Sequence, residues 1–70
     1  MLKGHHIYTF QNKITKELVK IFINPNTVLL NGKVNHTLME QAKWRKLRDA
    51  GVKNTTQYVE YSYESTITDE

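Results

Sequence analysis

The sequence predicts an α+β domain: a small antiparallel sheet of four to five strands with one helix packed across it, in the order β-β-β-β-α-β. Three observations carry that expectation. Residues 17–24 alternate with the period of two that a half-buried strand requires, placing Val19, Ile21 and Ile23 on one face and Leu18, Lys20, Phe22 and Asn24 on the other. Asn31-Gly32 separates two short apolar runs, the composition of a type I′ hairpin turn. A single stretch, residues 38–50, is bounded by both helix-start and helix-stop residues. A sheet with one apolar face and one amphipathic helix bury each other most simply as two layers.

Taken in order, residues 5–11 form the first strand, because Ile7, Tyr8, Thr9 and Phe10 are all strand-favouring types. Residues 12–16 are short enough for a hairpin connection into the second strand, residues 17–24. Asn24-Pro25-Asn26 then breaks the chain, since proline cannot donate to a ladder and both asparagines suit turns. Residues 27–30 and 33–35 are two short strands around Asn31-Gly32. The helix opens with Thr37 and Glu40 spaced as a capping box and closes with Gly51 as its left-handed C′ residue. Val52 is then placed to meet Leu47 across a Schellman motif. A last strand, residues 57–63, sets Val59, Tyr61 and Tyr63 against Tyr58, Glu60 and Ser62. Residues 1–63 read as a single domain and 64–70 as an acidic tail that frays.

Seventy residues give one domain, with an expected radius of gyration of roughly 11 Å and a small core. Cysteine is absent, which excludes a disulfide framework and any thiolate zinc site. Self-association as a homo-oligomer, such as a dimer, is the expected reinforcement. Gly4-His5-His6 follows Met1-Leu2-Lys3 where a signal peptide would turn apolar, and no run approaches the ~20 apolar residues of a membrane helix. The expected location is cytoplasmic, with no membrane partner. Eight Lys against two Arg, with six Asn and five Ile, point to a low-GC bacterium or one of its phages.

Charge divides the chain. Residues 1–53 carry all ten Lys and Arg against Glu17, Glu40 and Asp49; residues 54–70 carry Glu60, Glu64, Asp69 and Glu70 with no base. The basic centre is Lys43, Trp44, Arg45, Lys46 and Arg48, within the expected helix. On a helical projection from Leu38, Met39, Leu47, Ala50 and part of Trp44 form the core stripe, whereas Leu38, Gln41, Arg45, Arg48 and Asp49 lie opposite. Such a helix suits a polyanion: the arginines fork onto phosphates, Lys43 and Lys46 add charge at the margin, and Trp44 stacks or anchors. The plainer account is a solvated face, with an Arg45–Asp49 pair at i,i+4 and bases near the C-terminal dipole.

A second candidate surface is Lys20, Phe22 and Tyr58 on the sheet face away from the helix, where interleaved cations and aromatics could stack bases or meet a protein. The plainer account is that strand-favouring aromatics cover a small sheet. Metal binding and catalysis are not expected. His5 and His6 are neighbours on a strand and point to opposite faces, and His36 is far away in sequence. No nucleophile sits beside a base, and the carboxylates are scattered or terminal. No cofactor is implied.

The first functional expectation is a non-enzymatic regulator contacting nucleic acid through Lys43, Trp44, Arg45, Lys46 and Arg48. The second is an inhibitor or adaptor docking on a host protein, one that itself processes nucleic acid. A third is an oligomer that sequesters a small anionic ligand between subunits.

Overall fold

A computed structural model describes residues 2–69. It has the expected α+β architecture, with antiparallel strands and a single α-helix among the described residues. The strands are β1 (Leu2–Lys3), β2 (His6–Asn12), β3 (Leu18–Ile23), β4 (Leu29–Leu30), β5 (Lys33–Val34), β6 (Tyr58–Ser65) and β7 (Thr68–Asp69). The helix, α1, spans His36–Asp49. The central sheet has the order β3-β2-β6, flanked by two-stranded ladders β1-β7 and β4-β5.

The first hairpin turns on Asn12. Its side-chain oxygen accepts from the Ile14 and Thr15 amides at 2.8 and 3.1 Å, while Lys16 takes a left-handed φ of 67°. After β3, Asn24 accepts from the Asn26 amide and opens a 3-10 turn, Pro25–Val28, so the strand expected from residue 27 is shortened to Leu29–Leu30. Asn31 and Gly32 both have positive φ, 54° and 79°, as a type I′ turn demands.

Helix α1 starts two residues earlier than the Thr37–Glu40 capping box places it. Asn35 is the cap, its side-chain oxygen accepting from the Leu38 amide at 3.0 Å. The Asn35 amide itself donates to Val28 at 2.8 Å, so the β4–β5 pairing fixes where the helix begins. Thr37 falls inside the first turn, and Glu40 is left free for another partner. The C-terminal end matches expectation. Gly51 has φ +96°, its amide donates to Arg48, and the Val52 amide donates to Leu47 at 3.1 Å. Leu47 and Val52 are both buried, completing the apolar contact of the Schellman motif.

The core comprises Phe10, Ile21, Ile23, Val28, Met39, Leu47 and Val52, with Tyr8, Val19, Leu38, Ala42 and Tyr58 packed around it. The alternation of β3 is as read: Ile21 and Ile23 are buried, whereas Lys20 and Phe22 are exposed. The helix is rotated relative to its projection. Leu38 and Ala42 join the core cluster while Ala50 is exposed, because α1 packs on both β3 and the Pro25–Val28 turn.

Strand β6 departs most from simple alternation. Thr9 pairs with Ser62 and Phe10 pairs with Glu60, leaving Tyr61 as an extra residue in a β-bulge. The bulge reverses the parity of the strand. Tyr63 shares the helix face with Tyr8, as do Glu60 with Phe10 and Tyr58 with Asn12; Val59 shares the opposite face with Gln11.

Residues 68–69 of the acidic end pair with the start of the chain, and Glu70 lies outside the described residues. Leu2 aligns with Asp69 and Lys3 with Thr68, and His5 and Thr66 exchange hydrogen bonds at the junction. The chain ends thereby extend the β2–β6 ribbon, which accounts for a shape of 40 × 20 × 16 Å and a radius of gyration of 12.6 Å, above the expected value for a compact chain. Among the described residues, no helix is long and apolar enough to cross a membrane.

Candidate nucleic-acid interface

Helical geometry spreads the five basic-run residues over different surroundings. Lys43 turns inward. Its ammonium donates to Glu40 at 2.9 Å and to Glu60 at 3.2 Å, and lies 4.4 Å from the centre of the Tyr8 ring. The side chain is only 12% exposed. Burial pulls its pKa down, but the hydrogen bonds to Glu40 and Glu60 and the attraction of Glu60 more than offset that, leaving it above the ordinary lysine value. Lys43 is thus a charged internal tie between α1 and β6, and it is withdrawn from the expected phosphate-binding set.

Trp44 stands at the rim, 39% exposed, with its ring centre 6.2 Å from that of Phe10. Its inner edge packs while its outer surface stays open. Arg45 and Arg48 are exposed and form no ion pair among the described residues, so the expected Arg45–Asp49 pair is not made. Lys46 is also exposed but leans toward the sheet edge. There it lines a shallow groove of about 270 Å³ with Lys20, Ile21, Phe22, Asp49 and Ala50.

The second candidate surface is divided. Lys20 and Phe22 do share the outer face, and the His5 ring meets Phe22 edge-on at 5.8 Å. Tyr58 does not join them: pairing with Asn12 puts it on the helix face, half-buried against the core. The bulge at Tyr61 is the reason, since uninterrupted alternation would have carried Tyr58 to the other side.

Two histidines distant in sequence line one cleft. His6, Tyr8, Val34, His36, Met39 and Tyr63 surround about 480 Å³ at the start of α1. His6 Nδ1 lies 2.9 Å from the Tyr63 hydroxyl, and its Nε2 is buried without a hydrogen-bond partner among the described residues. Burial lowers the His6 pKa below the ordinary value. The neighbouring Tyr8 hydroxyl is shifted upward by burial, partly opposed by the Lys43 charge. Among the described residues, no three His, Asp or Glu side chains gather as a metal site.

Sequence reasoning missed the Lys43–Glu60 tie and the His6–His36 cleft. Glu40 and Lys43, three apart on a helix, were open to recognition as a pair. Glu60 was not, because its facing depends on the bulge. Comparison with protein-family models, with curated proteins and with solved structures found no match in any of the three.

Proposed function

We propose that this chain is a small, non-enzymatic regulator that contacts nucleic acid through the outer face of α1. Arg45 and Arg48 are the phosphate-contacting residues, Lys46 extends the charge toward the sheet edge, and Trp44 offers a stacking surface beside them. The observation that carries this reading is that both arginines are solvent-exposed with no carboxylate paired to them among the described residues. Exposed guanidinium groups with vacant donors suit forked contacts to phosphate oxygens. Lys43 has no part in binding. The same reading takes the protein as cytoplasmic, self-associating, and of phage or low-GC bacterial origin.

Binding of labelled duplex and single-stranded DNA and RNA at two salt concentrations tests the proposal. Affinity should fall steeply as salt rises, because phosphate contacts release counterions. Arg45→Ala with Arg48→Ala should weaken binding at least tenfold while leaving the circular dichroism and melting temperature unchanged. Undiminished affinity in the folded double variant would remove α1 from the function.

A second reading, an inhibitor or adaptor docking on a host protein, draws on the uncovered sheet face. Leu18, Phe22 and Val59 are all exposed there, more apolar surface than a merely solvated face needs. Such binding would be less sensitive to salt and would survive the arginine substitutions.

A further inference from the structure

The outer face of the central sheet can be laid out from its registers. Across β3, β2 and β6, its rows read Phe22–Ile7–Glu64, Lys20–Thr9–Ser62 and Leu18–Gln11–Val59. Leu18, Phe22 and Val59 are 54, 49 and 43% exposed, and α1 packs on the other side. An antiparallel sheet can leave one face to solvent when that face is polar. Here apolar residues hold corners of the face and Ile7 its midline. Lys20 stands on one edge strand and Glu64 on the other, so positive and negative charge occupy opposite margins.

That layout is self-complementary. A two-fold axis parallel to β2 lays each β3 over the second copy's β6. Leu18 then meets the partner's Val59, and Ile7 meets its own counterpart near the axis. The partner's Glu64 stands over Phe22, one row from Lys20, whose ammonium can reach that carboxylate at the margin. The contact is isologous, each pair occurring twice, and it closes at two copies. Facing sheets of this kind align to within about 30° and interdigitate their inner side chains.

We infer that this face is the interface of a symmetric dimer, a second copy of the chain being its occupant, with Leu18, Val59 and Ile7 as its apolar contacts and with the partner's Glu64 held between Phe22 and Lys20, the pair of Lys20 with the partner's Glu64 setting the register. The inference gives a surface to the self-association in the preceding reading but does not depend on nucleic-acid binding. In such a dimer the two α1 helices lie on the outer sides, leaving Arg45 and Arg48 of each copy free.

Sedimentation equilibrium on the full chain, from about 10 µM to about 1 mM, reads the association directly; a face of three short strands sits at the small end of specific interfaces, so the dimer should be of modest strength. Phe22→Glu should give a monomer with unchanged circular dichroism. Lys20→Glu and Glu64→Lys should each weaken the dimer, by setting like charges beside one another. The double variant Lys20→Glu/Glu64→Lys should regain most of the loss, which simple destabilisation would not allow. Arg45→Ala with Arg48→Ala should leave association unaltered. A chain monomeric across the range would overturn the inference, as would a dimer indifferent to Phe22→Glu or a double variant no better than its parents.

Discussion

The Lys43 ammonium rests 4.4 Å from the centre of the Tyr8 ring while bonding Glu40 and Glu60. One lysine thereby joins α1 to two strands: β2 through the ring, and β6 through Glu60. Its stem covers apolar surface and its head is held by two half-exposed carboxylates. The first base of the chain's basic run is therefore structural, and the exposed charge beyond it belongs to Arg45, Lys46 and Arg48.

Replacing Lys43 separates packing from charge. Lys43→Ala should cost on the order of 1–2 kcal/mol, since it removes the stem, the ring contact and a partly screened ion network together. Lys43→Met keeps the stem and should cost less, because a partly buried ion pair contributes little over a well-packed apolar chain. Chemical denaturation measures both, and equal losses would mean that charge, not packing, dominates the tie.

The two candidate caps of α1 make opposite predictions. Asn35→Ala should destabilise the chain by about 1 kcal/mol, the usual cost of deleting an N-cap oxygen. Thr37→Ala should be nearly neutral or slightly stabilising, since Thr37 lies within the first turn and alanine is the better helix former. Thermal melts of the two variants decide between the caps, and a larger loss at Thr37 would move the helix start back to the capping box.

Gly4 has φ +90°, and a Cβ there would fall on the Thr66 carbonyl. Gly4→Ala should therefore separate the β1–β7 ladder from the body of the sheet. Hydrogen exchange should show the amides of residues 2–5 and 66–69 losing protection while those of β2 and β3 keep theirs. Full protection at the ends in the variant would show that the close approach is not maintained in solution.

His6 gives the fold a dependence on acidity. Its folded-state pKa lies below the ordinary value of 6.5, because burial penalises the imidazolium. Beneath that value the unfolded chain binds more protons than the folded one. The stability contribution is thus fully present above about pH 6.5 and is lost as pH falls toward the depressed folded-state pKa. The melting temperature should drop between about pH 7 and pH 5, and the drop should shrink in His6→Phe, where nothing remains to protonate. Parallel pH profiles for the two proteins would assign the acid sensitivity to other groups.

Local chemistry made much of the architecture legible. The alternation of Val19, Ile21 and Ile23, the positive-φ pair Asn31-Gly32 and the Gly51–Val52 helix ending are each set within a few residues, and each takes the expected geometry. The exposure of Arg45 and Arg48 followed from helical periodicity alone. The choice between Asn35 and Thr37 did not, because both are good caps and the decision comes from the Asn35 amide bonding Val28, seven residues away.

The amino-acid sequence by itself thus determined the strand, turn and helix types, the single-helix α+β class and the surplus of positive charge in the first 53 residues. Tertiary structure alone decided which faces those elements share. One extra residue in β6, Tyr61, reverses the parity of everything before it. It turns Tyr58 and Glu60 toward the helix, gives Lys43 its second carboxylate and sends Val59 to the outer face. Periodicity fixes which residues of a strand lie together; only pairing with a strand some fifty residues away fixes which side of the sheet they take.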